Sequence, residues 1–179
     1  MPRPHVCPWW GGYFIDNPLR RLLHNPARIV GPYVRAGMTV MDFGCGMGLF
    51  SIAMARLVAP NGTVIAVDVQ PQMLAVLRRR AGRAGVLQQI RTHLSQPDSL
   101  GLDEPVDFVL AFYAAHEVTD LPRLLRELHN CLRPGCSILL VEPIIHVSAR
   151  EFRQMLATAE QLGLVPGAGP RVRLSHSSL

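Results

Sequence analysis

The sequence predicts an α/β protein built on a single doubly wound, mostly parallel sheet flanked by helices. Three observations carry that prediction. From residue 39 onward, short β-type runs alternate with helical patterns, the order that builds parallel sheets through right-handed crossovers. Runs such as Val64-Ile65-Ala66-Val67 are apolar without alternation, as expected of strands covered on both faces. The first run leads into an acid followed by three glycines at alternate positions, Asp42-Phe43-Gly44-Cys45-Gly46-Met47-Gly48. Glycine lets the chain turn at positive φ and lets a ligand touch backbone without meeting a Cβ, so the run reads as a βα loop opening onto a helix N-terminus.

The elements follow in order. Residues 39–43 form a short strand, and 49–58 a helix closed by Pro60-Asn61-Gly62. Residues 63–67 form a buried strand ending at Asp68. Residues 71–83 form a helix with proline in its first turn, where a missing N–H does no harm. A weaker strand covers 89–94 and a stronger one 106–113. Asp120 caps the next helix, with Pro122 just inside it. Its apolar face is Leu121, Leu124, Leu125, Leu128 and Leu132, at helical spacing. Pro134-Gly135 breaks that helix before a strand at 137–141. Ser148 caps a final helix with Phe152, Met155, Leu156 and Ala159 on one face. Near the C-terminus, 171–174 is a candidate strand and 175–179 barely another, so the closing antiparallel strand is expected to be short or truncated. Residues 1–35 read as an N-terminal cap segment with short helices at 18–24 and 26–34, and 36–179 as the ligand-binding domain.

Bulk properties narrow the function. With 179 residues, 49% of them hydrophobic, the chain can bury one real core. No apolar run approaches the ~20 residues of a membrane span. The first residues lack the apolar segment of a signal peptide, and the expected location is cytoplasmic. The four cysteines, Cys7, Cys45, Cys131 and Cys136, include no C-x-x-C pair, and they read as reduced thiols. His5 and Cys7 are too few to hold a metal, and none is expected. All 18 basic residues are arginine, which excludes a P-loop NTPase and a Schiff-base enzyme because both need lysine. The net charge of +5 permits an anionic partner. However, the cluster Arg78, Arg79, Arg80 and Arg83 has no interleaved aromatics and reads as a solvated helix end.

The acid beside the glycine loop suits a cationic or hydroxyl-bearing ligand and repels a pyrophosphate. The dinucleotide fingerprint G-x-G-x-x-G would also place glycine where Leu49 stands. Asp68, at the end of the second strand, is placed to accept hydrogen bonds from both hydroxyls of a ribose.

Several stretches together carry a resemblance. Val40-Met41-Asp42-Phe43-Gly44-Cys45-Gly46-Met47-Gly48, Val64-Ile65-Ala66-Val67-Asp68 and Asp107-Phe108-Val109-Leu110-Ala111-Phe112 occur in that order. They are followed by Leu124-Leu125-Arg126-Glu127-Leu128, Leu132-Arg133-Pro134-Gly135 and Leu139-Leu140-Val141-Glu142-Pro143. Over residues 36–165 the chain resembles the class I S-adenosylmethionine-dependent methyltransferases of small-molecule type. The resemblance implies a Rossmann-like methyltransferase fold with S-adenosyl-L-methionine as cofactor. It implies cofactor contacts from Asp42, Gly44, Cys45, Gly46, Gly48, Asp68 and Val69, and from Ala111 and Phe112 at the end of the fourth strand. Asp42 would serve the ammonium group, directly or through water. For adenine the reading favours Ser95 and Gln96, with Asp98 as the alternative if the turn is shifted.

Methyl transfer needs the acceptor aligned, and a base where the acceptor must lose a proton. Candidates past the carboxyl ends of the fourth and fifth strands are Tyr113, His116, Glu117, Glu142 and His146, with His116, Tyr113 and Glu142 the catalytic choice. Trp9, Trp10, Tyr13 and Phe14 either close over the cofactor or pack a cap helix. One departure from the family pattern is Cys136 where Pro-Gly-Gly is usual, a strained position if it needs positive φ. The expected partner is a small-molecule methyl acceptor, with oligomeric state open. Rival readings are an RNA or protein methyltransferase, a nicotinamide oxidoreductase, or a non-catalytic S-adenosylmethionine-binding protein. Ala111-Phe112-Tyr113-Ala114 lacks the Asn/Asp-Pro-Pro-aromatic run of base-amine methylation, which weakens the nucleic-acid rival.

Overall fold

The computed structural model describes residues 24–179. Its elements are α1 (Pro26–Val30), β1 (Thr39–Phe43), α2 (Leu49–Val58), β2 (Thr63–Asp68), α3 (Pro71–Arg83), β3 (Ile90–Leu94), β4 (Val106–Phe112), α4 (Leu121–Cys131), β5 (Leu132–Pro143), α5 (Ala149–Gln161) and β6 (Ser175–Ser178). Single 3-10 turns lie at Leu87–Gln89 and Ala115–Glu117. The strands form one sheet in the order β3-β2-β1-β4-β5-β6. Pairings from β3 to β5 are parallel, and β6 joins β5 antiparallel. The order reverses between β1 and β4, so a crevice opens outside their carboxyl ends, where doubly wound sheets bind ligands.

Successive residues along each strand face opposite layers, as the two-residue strand period requires. Val40, Val64, Ala66, Phe108, Leu110, Leu139 and Val141 face one side and pack against α1, α2 and α3. Met41, Ile65, Val67, Val109, Ala111, Ile138 and Leu140 face the other and pack against α4 and α5. Both faces are therefore dry, which is why these strands read as continuous apolar runs. In α4, Leu124, Leu125 and Leu128 are buried. Asp120 accepts the Arg123 N–H as its N-cap. In α5, Ser148 and Glu151 form a reciprocal capping box, with Phe152 and Ala159 buried and Met155 and Leu156 packed at the edge of the core.

The structure departs from the sequence reading in four places. α1 stops at Val30 and gives way to a turn, because Gly31 and Pro32 follow and proline cannot extend the hydrogen-bonded ladder. β5 begins at Leu132, directly after α4, and carries Pro134-Gly135 within it. Gly135 takes positive φ there (78°), so Cys136 escapes the strain its position suggested. The candidate strand at 171–174 does not form; closure comes from β6, paired to β5 from Leu140↔Ser178 to Pro143↔Ser175. A second pairing is reduced to an isolated bridge, Ala168↔Ser178, because Pro166 and Pro170 flank it and interrupt a ladder. Cys7, Trp9, Trp10, Tyr13, Phe14 and all but the last residue of the helix expected at 18–24 lie outside the described residues. Among the described residues no helix is long and apolar enough to cross a membrane.

Candidate active site

The carboxyl ends of β1 and β2 carry the first group of predicted residues. Asp42 is 2% exposed, and its Oδ2 accepts the Ser51 hydroxyl at 2.5 Å. Burial pushes its pKa up to about 7, opposed by the Ser51 hydrogen bond and helped by the nearby Asp68 charge. Asp68 is 8% exposed. Its Oδ2 accepts the Gly46 N–H and its Oδ1 the Gln70 N–H, each at 2.9 Å. Burial raises the Asp68 pKa too, with these backbone hydrogen bonds opposing. The Val69 N–H adds a third backbone donor to this carboxylate, whose roughly four acceptor positions still leave room for a ligand hydroxyl.

The glycine loop divides into a packed part and an open part. At Gly48 (φ 88°) a Cβ would lie 2.7 Å from Leu77 Cγ, and at Gly44 it would lie 2.4 Å from Ala114 Cβ. These two glycines are required by the protein's own packing. At Gly46 (φ 52°) a Cβ would meet no described residue within 4 Å. That face of the loop is bare, beside the Asp68 carboxylate. The Cys45 N–H is already bonded to Val67 O at 2.9 Å. Burial and the neighbouring Asp42 and Asp68 charges hold the Cys45 thiol protonated, well above its ordinary range, so it is not a nucleophile.

Beyond the ends of β1 and β2 lies a shallow cleft, partly open to solvent, lined by Phe43, Val69, Ser95, Gln96, Asp98, Leu100, Val118 and Glu127 among others. The 95–100 turn closes on itself through Gln96 N–H to Ser99 O (3.0 Å) and Ser99 N–H to Gln96 O (3.3 Å). Glu127 of α4 anchors it, accepting the Leu100 N–H at 2.5 Å and facing the Ser99 hydroxyl. Ser95 is buried, and no described residue hydrogen-bonds its hydroxyl. Gln96 and Asp98 are exposed at the rim. Both adenine readings therefore lie on the same cleft.

The third group sits past β4 and β5. Glu142 is wholly buried. Its Oε1 accepts the Ala115 N–H at 2.9 Å, and its Oε2 lies 2.5 Å from His116 Nδ1. Burial alone would lower the His116 pKa, but the hydrogen bond and charge of Glu142, with the charge of Glu117, raise it above its ordinary value. The His146 ring stacks on His116 at a centroid distance of 5.6 Å. Tyr113 adopts φ 60°, a strained backbone for a bulky residue. Its hydroxyl meets Ser175 Oγ at 2.6 Å and His24 Nε2 at 3.2 Å. Of the residues expected beside them, Ala111 is buried in the core, and the Phe112 ring packs against Phe50 and Tyr113, leaving their backbone as the part near the crevice.

Sequence reasoning missed Ser51, Glu127 and Ser175. Ser51 had a legible signal, a polar residue on the buried face of an apolar helix. Glu127 and Ser175 act across long separations that no local pattern reveals.

Comparison with known proteins agrees with the fold. The family model described as "Methyltransferase domain" matches residues 40–135, more than half of the chain. The chain belongs to that methyltransferase-domain family. Among curated proteins, it is 33% identical over 110 residues to the ubiquinone/menaquinone biosynthesis C-methyltransferase UbiE of Pasteurella multocida, covering 61% of this chain and 41% of that protein. It is 33% identical over 111 residues to the demethylmenaquinone methyltransferase of Symbiobacterium thermophilum, covering 62% and 44%. The chain thus spans less than half the length of these relatives. Among solved structures, a SAM-dependent methyltransferase from Aquifex aeolicus superposes with a TM-score of 0.86 at 21% identity, covering 97% of both chains. Aeropyrum pernix fibrillarin, solved with natively bound S-adenosyl-L-methionine, gives 0.65 at 18% identity, covering 82% of this chain and 66% of that one. At these identities the structures show the methyltransferase fold.

Proposed function

We propose that this methyltransferase domain binds S-adenosylmethionine in the crevice between the glycine loop and the 95–100 turn, and transfers its methyl group to a small-molecule acceptor. The observation that carries the reading is the bare Gly46 face beside the Asp68 carboxylate, a cradle that a Cβ would fill. Two buried acids flank it, which disfavours a pyrophosphate and suits a nucleoside that carries positive charge and free ribose hydroxyls. The residues present fit the cofactor. Asp68 has acceptor capacity left for the ribose, the Ser95 hydroxyl and Gln96 on the same cleft would serve the adenine edges, and Val69 gives the cleft an apolar wall. Asp42 acts through its charge and through Ser51 and the loop, since it is almost fully buried.

When bound, S-adenosylmethionine supplies an electrophilic methyl group with its own leaving group. The protein's work is then to orient the acceptor, exclude water and, where needed, hold a proton. Tyr113, His116 and Glu142 stand past the carboxyl ends of β4 and β5, where an acceptor would meet the crevice. The names of the two curated relatives support a small-molecule acceptor. Isothermal titration with S-adenosylmethionine and S-adenosylhomocysteine tests the reading: both bind, and no heat at high micromolar ligand refutes it. Binding without turnover on any acceptor would instead favour a non-catalytic S-adenosylmethionine-binding protein.

A further inference from the structure

We propose that the outer face of α1, α2 and α3 is a docking surface for a bilayer rich in anionic lipid headgroups. The inference stands apart from the methyl-transfer reading and starts from how charge is distributed along the chain. Residues 24–97 contain eight arginines and two acids, Asp42 and Asp68, and both acids are buried at the crevice. Residues 98–179 contain seven arginines and ten acids. Such an imbalance between two parts of one chain points to an anionic partner. The fold turns it into a difference between layers, because α1, α2 and α3 pack on one side of the sheet and α4 and α5 on the other. Arg28, Arg35, Arg56, Arg78, Arg79 and Arg83 are exposed on the first layer, and none forms an ion pair with a described residue. Glu104 and Asp107, two acids that reach the strands of this half, are held by Arg91 and Arg133. A helix dipole accounts for one or two cations at the end of α3. It does not account for a layer whose described residues include no exposed acid.

What accompanies the charge selects the occupant. Uncompensated arginines attract any polyanion, and a planar guanidinium pairs well with phosphate. A single-stranded nucleic acid also needs aromatic faces on which its bases stack. In this layer Phe50 is buried and Tyr33 is stacked on Phe108. The layer exposes an aliphatic side chain instead: Leu87 is 41% exposed, in the 3-10 turn after α3. That turn is tied to both helix ends. The Val86 N–H bonds Ala81 O at 3.0 Å, and the Gln89 amide reaches Pro60 O at 3.4 Å. Leu87 therefore stands beside the last turns of α2 and α3, which carry Arg56, Arg80 and Arg83. An apolar side chain among arginines matches an anionic bilayer surface. The side chain enters the headgroup boundary while the guanidinium groups stay with the phosphates.

Vesicle sedimentation with the full chain tests this, with phosphatidylglycerol in phosphatidylcholine against phosphatidylcholine alone. The chain should partition onto the anionic vesicles at low salt, leave them at high salt as exposed charges are screened, and ignore the neutral ones. Each arginine near such a surface is worth about fivefold, so Arg78→Gln, Arg79→Gln and Arg83→Gln together should lower partitioning by about 10²-fold. Arg126→Gln, Arg150→Gln and Arg153→Gln remove the same charge from exposed positions on the opposite layer. That second triple variant should lose less than about threefold, since screening removes its distant charges from the interaction. Leu87→Ser should lower vesicle binding by about threefold, and it should leave unchanged any binding to an RNA duplex, a polyanion without an apolar phase. Thermal melts establish that the variants are folded. The proposal falls if the wild type does not partition onto anionic vesicles, if the two triple variants lose equally, or if Leu87→Ser binds vesicles like the wild type. It also falls if the duplex outcompetes vesicles at equal phosphate, which would make the face a nucleic-acid surface. None of these side chains lines the crevice, so calorimetric affinity for S-adenosylmethionine should be the same in every variant. Vesicle binding and cofactor binding therefore fail separately.

Discussion

Alanine placed at Gly46 and at Gly48 should separate ligand binding from folding. Both glycines have positive φ, 52° and 88°, so each alanine carries a backbone penalty of roughly 1–2 kcal/mol. They differ in what the new methyl group meets. At Gly48 it lies 2.7 Å from Leu77 Cγ and 3.1 Å from Leu77 Cδ1, inside the core, and overpacking of that kind adds about 1–3 kcal/mol. Gly48→Ala should therefore destabilise the fold by about 2–5 kcal/mol. At Gly46 the methyl meets no described residue, so Gly46→Ala should lose only the backbone part of roughly 1–2 kcal/mol. The same methyl projects from the bare face of the loop, and the affinity for S-adenosylmethionine should fall by at least tenfold. Urea denaturation gives the stabilities and isothermal titration the affinities. If Gly46→Ala binds as tightly as the wild type, the nucleoside does not lie over this face, and the assignment of the loop is wrong.

Three further perturbations test neighbouring residues. Asp42 has a folded pKa of about 7 against 3.8 for an ordinary carboxyl, so its stabilising proton is fully present below 3.8 and lost as pH rises through 7. Unfolding free energy should fall over that window, and Asp42→Asn should flatten the fall and raise stability at pH 8 by an amount of order 1–3 kcal/mol, as followed by urea titrations at stepped pH. Asp68→Asn replaces an acceptor by a donor beside one of two backbone N–H groups. It should weaken cofactor binding by about 1.5–3 kcal/mol, and unchanged calorimetric affinity would remove Asp68 from the site. Glu127→Ala releases the Leu100 N–H, which should destabilise the fold by about 1–3 kcal/mol and raise amide hydrogen exchange across residues 95–100; unaltered exchange would show that Glu127 does not hold the turn.

Local chemistry explains which parts were legible. α2, β2, α3, the Asp120 cap and the Ser148 cap could be placed because their signals lie within one element: buried apolar runs, proline in a first turn, an acid or hydroxyl at an N-cap. The two acids ending β1 and β2 could be read because a glycine loop beside a strand end restricts the ligand. What escaped depends on contacts between distant positions. β5 starts early because Val106 pairs with Leu132, a demand of β4 that overrides the helix-breaking look of Pro134-Gly135. β6 forms at 175–178 because β5 pairs with it there, which overrides the stronger local look of 171–174. Ser95 was read from its place in the turn, but Glu127, which fixes that turn, sits 27 positions from Leu100.

The distribution of buried charge gives these residues a common explanation. Among the described residues the buried acids are Asp42, Asp68 and Glu142, at the carboxyl ends of β1, β2 and β5. Each is satisfied by donors from its own edge of the sheet: a serine hydroxyl, two backbone N–H groups, or a backbone N–H with an imidazole. At the amino ends the arrangement differs. Asp107 near the start of β4 holds the Thr39 N–H and Arg133, with 24% side-chain exposure, and serves the strands as an ordinary tie. Apolar residues at positions 42, 68 and 142 would avoid the desolvation penalty that raises the Asp42 and Asp68 pKa values. Folding alone does not call for three buried acids along one edge. The proposed binding of a cationic nucleoside gives the pair at β1 and β2 a use that folding does not. Stability gained by neutralising Asp42 should therefore come with lost affinity, and that coupling is what a purely structural role for the acid does not produce.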